Sequence, residues 1–392
     1  MRELDRLDEA LRDLQPAEHG FVAADIDAAR ARAATLDEIP VAQRGPLHGL
    51  VIPVKDLMPV AGLPCCYGSV HRREFPEESD PFVRRLLRAG AIIPGKTATP
   101  ELGLTAYTEP VGMPNVENPL WPGRTPGGSS GGAAAAVARG LVRVAHASDG
   151  GGSIRVPAAA TGLVGLKPAH DSRGGKLIAQ GFLTRRVADQ RVFYPAEGRR
   201  GPWRIGVLTE PLHGNLGAEG VDRTIVDATK AAADRLADLG HEVVETRPAY
   251  GPEPFDAFRD VLALRSARIP GPASRLVDYL RDRGRHLDPA ATLTRFDEAR
   301  ATAANAWSFD VLLTPTLAHD PPAIGAFSRL DPPDDFDAQT RWTPWATMFN
   351  ITGGAAISIP WPVPDRQPVG VHLGALRIDV PSLLNLAESL VP

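Results

Sequence analysis

Leu4, Leu7, Leu11 and Leu14 recur at the spacing of one helix face with charged residues between them, so the chain opens on an amphipathic helix whose apolar stripe faces the body of the protein. A second helix is predicted from Asp25 to Leu36. The pattern then shortens. Gly45–Asp56 reads GPLHGLVIPVKD, and its apolar run LVIPV has the length of a strand. Lys55 and Asp56 close that run, at the end of a strand where α/β sheets place reactive groups. Pro81–Gly90 is predicted helical, with Phe82, Leu86 and Leu87 on one side, and Ala91–Pro94 is predicted as the next strand. The alanine-rich Ala133–Arg139 is a further helix and Leu141–Ala145 a further strand.

Downstream, RIGVL after Trp203, a helix from Val221 to Leu239 stopped by Gly240, and the strand HEVVE form a βαβ-like unit. Phe255–Arg268 and Arg275–Asn305 are predicted helices, and Asp310–Thr314, Ala356–Ile359 and Gly370–Leu373 predicted strands. Ser382–Leu390 is the last predicted helix. Strands and helices alternate without a linker or repeat, which predicts one α/β domain over residues 1–392, its first 40 or so residues packed as helices on the core.

With 43% hydrophobic residues over 392, the chain has material for a large core. Its net charge of −4 and interspersed arginines form no basic stripe, so neither nucleic acid nor an anionic membrane is an expected partner. The N-terminus is charged from its second residue and no apolar run reaches membrane length, so a cytoplasmic protein is expected. Cys65 and Cys66 are adjacent, poor geometry for a structural disulfide, and read as small apolar fillers. The ten histidines show no ligand spacing, so no metal site and no cofactor are expected.

Candidate chemistry concentrates between Thr125 and Pro168. Gly127-Gly128-Ser129-Ser130-Gly131-Gly132 opens directly onto the Ala133–Arg139 helix, and 24 residues after Ser129 a second loop, Asp149-Gly150-Gly151-Gly152, ends at Ser153. Three glycines leave three backbone N–H groups with nothing in front of them, so Ser153 stands beside a cradle for a developing oxyanion. A base can come from lysine: only five of the 43 basic residues are Lys, which favours positions that need a side chain able to lose its proton. Lys55, closing an apolar strand, is preferred over Lys96 in Gly-Lys-Thr, and Lys167 reads as a structural loop residue.

Other readings fit less well. Gly127-Gly128-Ser129-Ser130-Gly131 matches the pattern of a nucleophile elbow, but an elbow follows a strand and Asn118–Pro126 contains three prolines. Four alanines follow Gly132, where a phosphate loop needs Lys and then Ser or Thr. His372 and His319 are candidates for a Ser-His-Asp triad, but His372 lies in the apolar run VGVHLGA, where a buried, satisfied histidine is commoner.

Taken together, GPLHGLVIPVKD, TPGGSSGG, SDGGGSIRVPAAATGLVGLKP, AGAIIPGKTATPELG, DVLLTPTLA, FNITGGAAISIP and QPVGV resemble the amidase signature family of serine hydrolases over nearly the full chain. DGGGSIR with GFLTRRVAD is similar to the branch containing 6-aminohexanoate-cyclic-dimer hydrolases. The resemblance implies a large twisted mixed β-sheet covered by helices on both faces. It also implies hydrolysis of a small-molecule carboxylic amide, with Lys55 as general base, Ser129 as proton relay and Ser153 as nucleophile. Gly150, Gly151, Gly152 and Ser153 would then receive the oxyanion, and Ser130, Asp149 and Arg155 would hold the loops. The chain departs from the family pattern at His170–Gly175 and at Gly354-Ala355 and is shorter in its middle, which leaves a non-catalytic binding module, or a tRNA-dependent amidotransferase subunit, as alternatives. Trp121, Trp342, Trp345 and Phe349 are candidates to line an apolar acyl pocket, and a homodimer is a possible assembly.

Overall fold

The computed structural model describes residues 2–217 and 220–391. Three short strands, β1 (Phe21–Ala24), β2 (Val54–Lys55) and β3 (Gly95–Thr97), form a small sheet in the order β1-β3-β2. A large mixed sheet is built from β4 (Val144–Asp149), β5 (Val164–Lys167), β6 (Ala179–Thr184), β7 (Arg204–Val207), β8 (Glu242–Glu245), β9 (Val311–Pro315), β10 (Ala356–Trp361) and β11 (Val369–Ala375). Its order is β4-β6-β5-β10-β11-β9-β7-β8, antiparallel as far as β9 and parallel from β9 through β7 to β8.

Both faces of this sheet are covered. Val371 and Leu373 of β11, with Ile357 and Ile359 of β10, pack under the Arg223–Asp238 and Val380–Leu390 helices in one buried apolar cluster. Each such side chain contributes about 1.5–3 kcal/mol by leaving water. Gly370, His372 and Gly374 alternate onto the opposite face. There Gly374 lets the Phe349 ring lie against the strand, and Gly370 admits Ala159 of the Arg155–Ala160 helix, places a Cβ would fill. Leu4 and Leu7 of the Arg2–Asp13 helix, with Ala29 and Ala33 of the Ile26–Asp37 helix, share a buried cluster with Ala133, Ala136 and Ala147.

Several boundaries differ from the sequence reading. The strand expected at Leu141–Ala145 runs instead over Val144–Asp149, because Gly140 in the left-handed region turns the chain after the preceding helix and Leu141 N–H still bonds back to Ala136. In LVIPV only Val54 and Lys55 form a strand, and the strand expected at Ala91–Pro94 falls at Gly95–Thr97. Pro53 and Pro94, which lack an N–H for the ladder, precede these shorter strands. The helix expected from Arg275 to Asn305 is two, Arg275–Arg285 and Pro289–Ala304, the second capped by Asp288 and opened by Pro289.

Candidate active site

The two sheets meet at β2 and β4, and that seam carries Lys55 into the interior. His146 N–H donates to Pro53 O (3.0 Å), and Lys55 N–H donates to His146 Nδ1 (3.2 Å). The other ring nitrogen of His146 lies 2.9 Å from Gln180 Oε1. Burial pushes His146 down to about 3, so it is a neutral ring. Beyond it, the fully buried Lys55 Nζ lies 2.7 Å from Ser129 Oγ, 3.1 Å from Ser148 Oγ and 3.3 Å from Ser148 O. Burial lowers the Lys55 pKa to about 7, against a smaller opposing pull from Asp149.

Ser129 follows Gly128 across a cis peptide bond in a loop pressed against the backbone of Tyr107. A Cβ at Gly128 would lie 2.6 Å from Tyr107 O, so only glycine fits there. Thr108 Oγ1 donates to Gly127 O (2.8 Å) and accepts from Gly131 N–H (3.1 Å), fastening the loop on both sides of Ser129. Ser130 donates to Ser148 O (3.3 Å) and stands at the head of the Gly131–Ala138 helix.

The second loop is held by a buried ion pair. The Asp149 carboxylate accepts from Gly152 N–H (2.8 Å), Ile154 N–H (3.1 Å), Arg155 Nε (3.0 Å), Arg155 Nη2 (2.9 Å) and Asn350 Nδ2 (2.9 Å). Burial alone would raise the Asp149 pKa, but the Arg155 guanidinium and these donors hold it well below the usual carboxylate range. Arg155 also donates to Ala346 O and Asn350 Oδ1 (2.8 Å each) and lies 3.1 Å from His372 Nε2, while His372 Nδ1 faces Thr314 Oγ1 at 3.0 Å. Both nitrogens of His372 are therefore engaged away from either serine. His319 stacks on Trp342 outside the serine-lined cavity.

Ser129, Ser148, the three glycines and Ser153 open together into a cavity of about 580 Å³. Among the described residues no hydrogen bond joins Ser129 to Ser153. Of the four N–H groups expected in the oxyanion cradle, that of Gly152 is committed to Asp149, whereas those of Gly150, Gly151 and Ser153 have no partner among the described residues. The aromatic wall also differs from expectation. Trp345 and Phe349 are fully buried on the sheet, with the Trp345 indole donating to Glu210 O (2.8 Å), and Trp342 sits in a separate cluster. Trp121 lines a small pocket with His319. Phe255, Phe258 and Phe336 line the cavity instead, with Leu57, Leu102 and Leu177.

Lys96 is as buried as Lys55, but it forms an ion pair with Asp56 at 2.9 Å, whereas Lys55 faces hydroxyls. Lys167 lies on β5 rather than in a loop, bonded to Gly354 O (2.7 Å) and Pro168 O (3.0 Å), and burial holds its pKa well below the ordinary value. Among the described residues, no group of three His, Cys, Asp or Glu is placed to hold a metal ion, and no helix is long and apolar enough to cross a membrane.

Residues 6–196 and 277–384 match the model of the Amidase family. The chain belongs to the amidase signature family. It is 31% identical over 434 residues to "Putative amidase AmiB2" of Mycobacterium tuberculosis (strain ATCC 25618 / H37Rv), which spans 100% of this chain and 90% of that relative. The fold matches the structure of a 6-aminohexanoate cyclic dimer hydrolase complexed with substrate, with a TM-score of 0.85 at 25% identity over 99% of this chain and 92% of that one. A crystal structure of another amidase matches with a TM-score of 0.81 at 27% identity, over 99% and 95% of the two chains. The protein is thus an amide hydrolase. The stretch 197–276 lies between the two matched parts of this amidase and supplies Phe255, Phe258 and Leu262 to the cavity wall.

Proposed function

We propose that this amidase cleaves its substrate through an acyl-enzyme on Ser153, with Ser129 relaying protons and Lys55 as the general base. The observation that carries this reading is the 2.7 Å approach of Lys55 Nζ to Ser129 Oγ, made by a lysine that burial brings to a pKa of about 7. A neutral amine has two N–H groups and one lone pair. Directing the N–H groups to Ser148 O and Ser148 Oγ turns the lone pair to the Ser129 hydroxyl. Ser129 then gives its proton to Lys55 and takes one from Ser153 as Ser153 Oγ attacks the amide carbonyl. The N–H groups of Gly150, Gly151 and Ser153 receive the oxyanion. As the tetrahedral intermediate collapses, the C–N bond breaks, Ser129 hands its proton to the leaving amine, and the Lys55 ammonium returns one to Ser129. Water then cleaves the ester at Ser153.

The substrate is a small-molecule amide whose apolar part lies against Phe255, Phe258 and Phe336. A cytoplasmic location agrees with Cys65 and Cys66 as buried free thiols. Intact Ser129 and Ser153 in the wall of one cavity, with Lys55 buried against Ser129, favour catalysis over a binding module. The test is acid quenching during turnover of an acyl 4-nitroanilide, followed by intact-mass and peptide analysis. An acyl adduct on the peptide carrying Ser153 is expected; an adduct on Ser129, or turnover that never shows one, overturns the assignment.

A further inference from the structure

The wall of the cavity that comes from the 197–276 stretch carries more than apolar side chains. The Glu253–Ser266 helix and the loop after it bring Arg265 and Arg268 to the lining, and both are exposed, which places them where the cavity opens. No Asp, Glu or Lys joins them in that lining. Twenty-six ion pairs link acidic and basic groups among the described residues, and neither Arg265 nor Arg268 takes part in any of them. Among the described residues the Arg265 side chain makes one hydrogen bond, to Gly174 O (3.3 Å). Arg265 is exposed as a residue but partly shielded, and this partial burial, more than the neighbouring charge of Arg268, pulls it below its ordinary pKa.

The segment bearing Arg268 is also braced from behind. Arg72 donates to Pro270 O (3.0 Å) and to Pro272 O, while pairing with Glu101 at 3.1 Å. Glu101 accepts from Ser274 N–H (2.7 Å), and Arg281 donates to Gly271 O (2.8 Å) and Pro270 O (3.2 Å). A buried pair and a second arginine thus fasten the backbone just after Arg268, which lowers the entropy lost when a ligand meets it.

We propose that Arg265 and Arg268 form an anion subsite at the cavity mouth, so that the substrate is an amide bearing a carboxylate separated from the scissile bond by an apolar spacer. This deepens the amide-hydrolase reading and rests on it. The planar guanidinium suits carboxylate pairing, and the leucine and phenylalanine side chains that line the same cavity as Ser153 fit the spacer.

The test compares 4-nitroanilides of the glutaric, adipic, suberic and sebacic half-acids with those of the neutral monocarboxylic acids of equal chain length. At the best length kcat/KM for the half-acid should exceed that for its neutral counterpart by about tenfold or more, mainly through KM. Raising the salt from about 0.01 M to about 1 M should erase the preference. Arg265→Gln with Arg268→Gln should abolish it while leaving the neutral substrates within about threefold, and Arg268→Lys should retain part of it. Calorimetry on Ser153→Ala, with and without the two Gln substitutions, should show the same carboxylate preference in binding. Preference in binding without acylation at Ser153 upholds the subsite and overturns the mechanism. Acylation with no carboxylate preference at any length does the reverse.

Discussion

The backbone N–H of Gly152 points into the carboxylate of Asp149 at 2.8 Å, so the last glycine of the loop is tied to a buried anion and not offered to substrate. Gly152 holds φ near +123° with Ala346 pressed close, a conformation only glycine accepts without strain. Among the described residues, the N–H groups of Gly150, Gly151 and Ser153 stay free beside this anchored one. Asp149→Asn removes the charge opposite Arg155 while keeping the volume. A loss of about 3–5 kcal/mol in denaturant unfolding is expected, since Arg155 is left buried and unpaired. In the folded fraction kcat should fall with KM little changed. An Asn variant with native stability and native kcat would show that the anchor is dispensable.

Lys55 and Lys96 predict opposite phenotypes. Lys55→Ala should lower kcat by roughly 10²–10⁴ with a modest effect on unfolding, because its partners are neutral hydroxyls and a carbonyl. Lys96→Ala strands Asp56, whose pKa burial already raises, and should lose about 3–5 kcal/mol of stability while the folded fraction keeps much of its turnover. Paired urea titrations and kinetics decide between them; the reverse ranking would assign the base to Lys96.

The aromatic residues divide in the same manner. Phe258 lines the cavity, so Phe258→Ala should raise KM for substrates with large apolar groups by about tenfold with a smaller effect on small ones. Trp345 is buried against Leu312 and Ala356, and Trp345→Ala should instead lose about 3–5 kcal/mol of stability. A specificity change from Trp345→Ala without destabilisation would count against the assigned wall.

How far the site could be read from residues alone follows from what each residue type advertises. Two serine-bearing glycine loops and a lysine closing an apolar run announce themselves, and the structure sets Ser129 and Ser153 in the wall of one cavity with Lys55 buried against Ser129. Desolvation could not separate Lys55 from Lys96, since both are fully buried; only the partner does, and Asp56 lies next to Lys55 in sequence yet pairs with Lys96. Ser148 escapes the sequence pattern because that pattern sets the strand at Leu141–Ala145, three residues early. With the strand at Val144–Asp149, alternation sets His146 and Ser148 on one side, and both contact Lys55. Asn350, bridging Asp149 and Arg155, carries no local signal because those contacts are long-range. Large apolar rings cannot show in sequence whether they face a cavity or a sheet, which is why the pattern points to Trp345 and Phe349 while the structure lines the cavity with Phe255 and Phe258.

The pH dependence tests the role of Lys55 most directly. Its native pKa of about 7 lies below the ordinary 10.5 because its charge is costly where it is buried. The proton-accepting form therefore fills as pH rises through about 7, so acylation should climb across that value, flatten above it and fall on the acid side. The same depression bears on stability. Between about 7 and 10.5 the unfolded chain holds a proton on Lys55 that the native chain lacks, so this group's contribution grows with pH across that window and is lost as pH falls through 7. Lys55→Met should flatten that part of the stability profile while abolishing acylation, which separates the titration from the catalytic loss. Lys55→Arg keeps the charge and much of the reach but cannot release its proton, so burst-phase acylation should be nearly as impaired as in Lys55→Ala at every pH. An Arg variant that acylates at a substantial rate with no acid limb would mean that Lys55 supplies only positive charge, and Ser129 would then need another acceptor for its proton.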